Sequence, residues 1–429
     1  MLTTSRIPLG RAHMLASTLI HDAQRAGLRF DSLTPLGSLR RFAPDIGDVS
    51  LLGVAAPDQH AALLDGFARL RSLTRVVSRS DSHVTADTER GPITLHLTSH
   101  EHAGAALVWH TGSVAHTRLL QVRARQHGLT LDDARLVDAA GVSIATPDED
   151  ILYRHLQLPY IPPELREGQD EIEVAAAGGL PALVSEIDIR GDLHMHSTWS
   201  DGRDAIGDMV AAAQQLGYEY VAITDHSERS LASRKLAATD IPRQRREIEK
   251  IRKRMPGIEV LHGIEVDIMH DGSLDFDDER LDGFDIVLAS LHDHLGHDAN
   301  TLTDRYLRAI HHPLVNVITH PANRSPGRSL GYDVDFDRLF TAAAETGTAM
   351  EVDGAPGHLD MDGRLARRAI ARGVTVAINS DCHRSDALAR QMRFGLGTAR
   401  RGWIERPHVL NARSLDEVRG FVARKRERR

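Results

Sequence analysis

The sequence predicts an α/β protein: a distorted, nearly closed barrel of seven strand–helix units in the C-terminal half, preceded by a smaller α+β domain. Three observations carry this. At 429 residues the chain exceeds one ordinary hydrophobic core. After residue 188, seven apolar runs rich in β-branched residues alternate with amphipathic segments. Between residues 164 and 187 the composition turns polar and then small, with Ala175-Ala176-Ala177-Gly178-Gly179 followed by Pro181. The expected organisation is therefore a first domain over 1–163, a linker over 164–187 and a barrel over 188–429.

In the first domain the patterns predict a helix over 11–26, then a strand entering a turn over 35–41. A strand over 48–54, a helix over 60–70 and a strand over 93–97 follow, and then an arginine-rich helix over 117–126. The barrel strands are expected at 189–196, 220–225, 259–266, 284–291, 315–319, 349–352 and 374–378. Most are continuously apolar, as parallel strands buried on both faces should be. Helix candidates lie between them at 205–216, 242–254, 303–311, 335–346 and 363–372, which is the alternation of an α/β barrel.

Composition narrows the function. Apolar residues make up 41% and charged residues 26%, the balance of a globular protein without a membrane partner. No apolar run is long enough for a membrane span, and the N-terminus has no secretory layout. The single cysteine, Cys382, excludes an internal disulfide framework, so a cytoplasmic protein is expected. A net charge of −8 argues against nucleic-acid binding by charge alone. Bound divalent cations would reverse the sign locally.

The strand ends carry the chemistry. The first ends in His194-Met195-His196, with Asp201 following in a Ser-Asp-Gly turn, and the second ends in Asp225-His226. The third carries Glu265 and then Asp267, the fourth ends at His292, the fifth at His320 and the seventh at Asp381-Cys382-His383. In an α/β barrel all these ends meet at one mouth. Imidazoles and carboxylates gathered there are the donor types that Mn, Zn or Fe take. A single such histidine usually belongs to a satisfied core; six with three carboxylates do not. Asp267 and Asp353 read as supporting residues, and Cys382, between two candidate ligands, as a small buried side chain pointing away. Arg324 and Arg328, after His320, and Arg229 and Lys235, after His226, are candidates for holding substrate phosphates. The basic tail Arg424–Arg429 reads as a frayed, solvated end.

These runs, with Gly191–Gly202, Ile223–Ser227, Gly263–Ile268, Ala289–His292, Thr319–Pro321 and Ser380–His383 in order, resemble the polymerase and histidinol phosphatase (PHP) domain. The version they resemble most is the one fused to bacterial X-family DNA polymerases. The resemblance implies a distorted (β/α)7 barrel and three divalent metal ions, with Mn the expected metal and Zn or Fe alternatives. It implies one ion held by His194, His196, Glu265 and Asp381. Glu265 would bridge to a second ion on His292 and His320, and Asp201, His226 and His383 would hold a third. Such ions activate water and stabilise charge on a phosphoryl group.

The first half resembles the palm and thumb of the same polymerases in Gly37-Ser38-Leu39-Arg40-Arg41, Thr111-Gly112-Ser113 and Leu158–Glu167. Its catalytic pattern departs from theirs. The expected Asp-x-Asp reads Asp48-Val49-Ser50, and the third aspartate aligns with Thr94 or its neighbours. By this resemblance the sequence is expected to start inside the palm, without the segments that grip gapped DNA. The expectation is a phosphoesterase acting on single-stranded DNA or 3′ ends, a 3′–5′ exonuclease or 3′-end processing enzyme of the DNA-repair kind without polymerase activity. The alternatives are a small-molecule phosphomonoesterase of the histidinol-phosphate type, and a first half that survives only as a non-catalytic docking platform.

Overall fold

The computed structural model describes residues 6–294 and 296–427. The chain forms two compact units, Met1–Leu180 and Pro181–Arg429. The segment 164–187 is partly folded: the turn Pro163–Leu165 runs into it and the helix Glu171–Ala176 lies within it. Glu171, acidic and so outwardly linker-like, is buried with Oε1 2.7 Å from Nδ1 of His116.

In the second unit seven parallel strands follow one another in chain order: β1 (Gly191–Asp192), β2 (Tyr220–Ile223), β3 (Glu259–Asp267), β4 (Ile286–Ser290), β5 (Val317–Ile318), β6 (Ala349–Asp353) and β7 (Val376–Asn379). All seven expected runs thus contain a strand. The first is shorter than its apolar run because the chain leaves the ladder after Asp192. It returns at the mouth: Met195 bridges Cys382 in parallel, and the His196 N–H donates to the Cys382 carbonyl at 2.9 Å. The His-Met-His segment is therefore what closes the barrel.

Period-two alternation then changes the character of the interior along its axis. At one end Tyr220, Leu261, Ile286, Leu288, Val317, Ala349 and Ala377 form an apolar cluster. Two or four residues further on, on the same faces, stand Glu265, Glu351 and Asn379, all fully buried. The outward residues, among them Val221, Ile264, Val287, Ile318, Val352 and Ile378, pack in a second apolar cluster with the surrounding helices.

Those helices start where acceptors precede them. Asp298 caps Ala299–His311, Asp335 caps Phe336–Thr346 and Asp362 caps Gly363–Ala371. Gly347, at φ 70°, ends the second of these in the left-handed conformation that favours glycine. The last helix, Leu415–Arg426, begins in a Ser414/Glu417 capping box. It lays Val418, Phe421 and Val422 against the apolar end of the barrel. Lys425 is buried, its Nζ donating to the Ile310 carbonyl at 2.6 Å. The frayed tail expected over 424–429 is thus corrected up to Arg426, because an aliphatic stem and a satisfied ammonium can be buried together. Arg428 and Arg429 lie outside the described residues.

The first unit contains a five-stranded sheet in the order Ser32–Pro35, Val49–Val54, Gly91–Thr98, His83–Thr88, Arg75–Arg79. Only the second and third of these pair in parallel. The strand expected over 35–41 instead ends at Pro35, and Gly37–Arg40 is a helical turn. Gly37 turns the chain with φ +60°. The edge pair Arg75–Arg79 and His83–Thr88 has no apolar run to announce it, since its outer strand is exposed throughout.

Candidate metal centre

All nine candidate ligands meet at the barrel mouth. Nε2 of His194 lies 3.1 Å from Nε2 of His196, 3.5 Å from Oε2 of Glu265 and 3.6 Å from Oδ1 of Asp381. Nε2 of His196 is 3.6 Å from the same Glu265 oxygen and 3.1 Å from the same Asp381 oxygen. A tetrahedral ion with bonds of about 2.1 Å spaces its donors about 3.4 Å apart. The five separations among these four residues, 3.1 to 3.6 Å, lie close to that spacing, and His194, His196 and Asp381 form the tightest such group. Two imidazole nitrogens facing each other at hydrogen-bond distance also make sense as lone pairs aimed at a common cation.

Glu265 extends the cluster with its other oxygen. Oε1 lies 3.0 Å from His320 Nε2 and 3.7 Å from His292 Nε2, while Oε2 lies 2.7 Å from His226 Nδ1. The Glu265–His226 pair has no hydrogen-bond geometry despite its closeness, and both atoms are buried without a bonded partner. The third group is Asp201 with His226 and His383, whose Nε2 atoms stand 3.5 and 3.3 Å from Asp201 Oδ1. His196 stacks against both of these rings, with centroids 4.3 and 4.2 Å away, and belongs to the same donor group. Donor chemistry and the unpartnered buried atoms fit divalent ions.

The electrostatics agree. Burial raises the Asp201 carboxyl, but His383 and His226 outweigh it and hold it at about 2. Glu265 and Asp381 are also held well below the usual range, His226 and His194 acting on Glu265, and His194 and His383 on Asp381, against the same burial. Burial lowers His196 to about 3, reinforced by His383 and His226, so its nitrogen carries a free lone pair. His320 and His383 are instead pushed up to about 9, Glu265 and Asp381 respectively overcoming burial. The carboxylates attract positive charge to this place, as protons or as a cation.

Local backbone follows the same demand. His320 and Asp381 hold positive φ, 27° and 48°, where glycine would be at ease but would bring no ligand. Gly202 is required for a different reason: a Cβ there would stand 2.6 Å from the Ser197 backbone nitrogen and oxygen. Cys382 points away from the mouth into the outer core, Sγ donating to the Arg384 carbonyl, and burial pushes its thiol up to about 12.

Several further residues organise the centre; Asp267 and Asp353 are the supporting residues expected from the sequence, while the bonds of Asp225 and the place of His358 are not evident there. Asp225 accepts from the backbone N–H and hydroxyl of Ser197 (2.8 and 2.6 Å), from those of Ser200 (3.1 and 2.5 Å), and from Gln244 at 2.6 Å. It thereby fixes the loop from His196 to Asp201. Asp267 accepts from His292 Nδ1 at 2.8 Å, leaving His292 Nε2 for the cluster. Asp353 is fully buried, and burial together with Asp381 and Glu351 raises its carboxyl. His358 stacks on His320 with centroids 5.1 Å apart. Sequence spacing shows the residue at a strand end; it does not show which neighbour that residue will bond.

The four candidate phosphate-binding cations do not share one environment. Arg324 is half-buried beside Asp362, with Nη1 and Oδ2 3.4 Å apart. Arg328 and Lys235 are exposed, and Arg229 is exposed with its Nε 3.6 Å from Asp275.

Comparison with known proteins follows the same division. The family model described as DNA polymerase beta thumb matches residues 106–167, and that of the PHP domain matches residues 192–322. The "DNA polymerase/3'-5' exonuclease PolX" of Bacillus subtilis (strain 168) is 33% identical over 423 residues, covering 98% of this chain and 73% of that protein. A "Probable phosphatase" of Syntrophotalea carbinolica is 27% identical over 217 residues, 48% of this chain and 85% of its own. One of Shewanella oneidensis is 30% identical over 204 residues, 45% of this chain and 75% of its own. No helix among the described residues is long and apolar enough to cross a membrane. A PHP domain with clustered metal-type donors makes the chain a hydrolase of the metal-dependent phosphoesterase kind. With a polymerase-type thumb before that barrel and a relative of this identity matched over 98% of this chain, the chain belongs to the PolX family of X-family polymerases that carry a PHP domain.

Proposed function

We propose that this chain is a 3′–5′ exonuclease or 3′-end processing enzyme that acts on single-stranded DNA or DNA 3′ ends, of use in DNA repair, and that Mn²⁺ is its favoured metal. The observation that carries this reading is the match over 98% of the chain to a protein named as a 3′–5′ exonuclease, joined to the donor cluster at the barrel mouth. His194, His196, Glu265 and Asp381 would hold one ion, Glu265 with His292 and His320 a second, and Asp201, His226 and His383 a third. Zn or Fe suit the same donors. Bound ions supply an activated water at neutral pH and neutralise charge on the phosphoryl oxygens. The chain orients its histidines through Asp267, Asp225 and the seam at Met195. Arg324, Arg328, Arg229 and Lys235 lie in the loops after His320 and His226 and hold neighbouring phosphates of the strand.

The same reading takes polymerase activity to be lost. Ser50 and Thr94 are direct neighbours in register on the palm sheet, where two of the three carboxylates are expected, and Asp48 accepts a hydrogen bond from the Ser50 hydroxyl at 2.7 Å. Beyond them lies a cavity of about 620 Å³ lined by His83, His96 and His110, the last two rings stacked at 4.1 Å. Burial, aided by neighbouring histidines, holds His96 and His110 at about 3 and about 4. Neutral imidazoles do not replace the negative charge that nucleotidyl transfer needs for its ions. Arg40 of the Gly-Ser-Leu-Arg-Arg run is tied to Glu149 by two bonds of 2.8 and 2.7 Å. The first unit then serves as a DNA-docking platform. Primer extension by the purified chain with Mg²⁺ or Mn²⁺ would refute this part.

A second reading, hydrolysis of a small phosphate monoester, is favoured by the relatives named as probable phosphatases, which match less than half of this chain. One experiment separates the two: a labelled single-stranded oligonucleotide and histidinol phosphate, each incubated with the chain and Mn²⁺. Stepwise shortening of the oligonucleotide supports the exonuclease; phosphate released only from the small ester supports the second reading.

A further inference from the structure

Glu351 is not one of the converging donors, yet two of the site histidines depend on it. It stands on β6, two residues beyond Ala349 and on the same inner face, and is fully buried. Its Oε1 accepts from Nδ1 of His194 at 2.8 Å and from Nδ2 of Asn379 at 2.8 Å. Its Oε2 accepts from the backbone N–H of His320 at 2.8 Å. A carboxylate oxygen only accepts, so the hydrogen of neutral His194 sits on Nδ1 and the lone pair on Nε2. That Nε2 is the atom facing His196, Glu265 and Asp381.

The second oxygen acts on the backbone. His320 holds φ 27°, a conformation that a residue with a side chain keeps only when its surroundings fix it. Glu351 supplies the acceptor that does so. Asn379 keeps the carboxylate from swinging, since its own Oδ1 accepts from the Leu193 N–H at 3.1 Å. One side chain thus reaches a donor after β1 and a donor after β5, on the two sides of Glu265.

We propose that Glu351 is the positioning residue of the metal centre, setting the His194 tautomer and the His320 backbone together. The proposal rests on the metal-dependent reading of the barrel. Glu351→Gln tests it, because glutamine has nearly the same shape but one acceptor and one donor group. With its oxygen toward His194, its NH₂ meets the His320 N–H, donor against donor. Flipped, the NH₂ meets His194 Nδ1 and moves the ring hydrogen to Nε2, removing the lone pair.

The full chain carrying E351Q is expected to keep the wild-type circular dichroism and to bind Mn²⁺ roughly 10–100-fold more weakly, read by electron paramagnetic resonance titration. In the Zn²⁺-loaded wild type, long-range ¹H–¹⁵N spectra should show His194 as the Nδ1–H tautomer. Equal Mn²⁺ affinity in the two proteins overturns the proposal alone, as does an Nε2–H tautomer for wild-type His194. That spectrum decides the matter even if E351Q fails to fold. Absence of Mn²⁺ and Zn²⁺ binding by the wild type overturns the metal-dependent reading and the proposal with it.

Discussion

His196 Nε2 and Asp381 Oδ1 lie 3.1 Å apart across the seam where Met195 pairs with Cys382. The contact that closes the barrel and the contact that gathers the donors are therefore one piece of structure. The seam itself is backbone to backbone, so it survives a change of side chain. Asp381→Asn is expected to keep the fold and lose phosphoesterase activity by more than about 100-fold, since loss of outer partners alone costs 10–100-fold at such centres. Metal content measured by mass spectrometry should fall in parallel. Wild-type activity in D381N would remove Asp381 from the centre.

Asp267 gives a milder case. It bonds Nδ1 of His292 at 2.8 Å and touches none of the other donors within hydrogen-bond distance except through that ring. Asp267→Asn leaves a side chain that can still accept from Nδ1 but no longer carries charge. Activity is expected to fall by roughly 10-fold, with weaker Mn²⁺ binding as the cause. A Mn²⁺ titration of activity checks this: the maximal rate should largely recover at high metal, and a loss that no amount of Mn²⁺ repairs would count against a role through His292.

The strand ends were legible from sequence because a parallel barrel buries both faces, which writes each strand as an apolar run ending in a polar donor. His226, Glu265, His292 and His320 could be placed at one mouth on that ground alone. The bonds that Glu351 and Asp225 make could not. At both positions the sequence shows only an acidic residue beside valine or threonine, and their partners lie between 19 and 157 residues away in the chain. Pairings at such separations are made by the barrel, not by spacing. The helical turn at Gly37–Arg40 was obscured for a local reason, since Gly37 reverses the chain directly after the strand. The C-terminal helix was misread from charge: Arg424, Lys425 and Arg426 look solvated until Lys425 meets the Ile310 carbonyl.

Acid should weaken the first unit through Glu149. Burial raises its carboxyl, and Arg166 and Arg40 overcome burial to hold it at about 2, below the ordinary 4.5. A depressed carboxyl contributes stability that is present above the unfolded value and lost as pH falls from about 4.5 toward about 2. Glu149→Gln also leaves Arg166, fully buried, without its charge partner, a change that costs roughly 3 kcal/mol. The full chain with E149Q should melt at a lower temperature than wild type at pH 7, and the gap should narrow between pH 5 and pH 3. A gap that stays constant across that range would show that the Glu149 charge is not what stabilises the unit.

Metal removal should be felt in stability as well as in activity. At the mouth Glu265, Asp381 and Asp201 converge with six histidines in buried or half-buried positions, and several of their atoms have no hydrogen-bond partner within the protein. A cation that binds only the folded barrel stabilises it by mass action, by about 2.7 kcal/mol at 100 times its dissociation constant. Chelation by EDTA is therefore expected to abolish phosphoesterase activity and lower the melting temperature, and added Mn²⁺ to restore both. In D381N the Mn²⁺-dependent rise in melting temperature should shrink or vanish, because the donor set around His194 and His196 is broken. If EDTA leaves the wild-type melt unchanged while activity disappears, the ions bind too weakly to hold the barrel mouth together. If D381N keeps the full Mn²⁺ response, the donors that bind most tightly are those around Asp201 and His383.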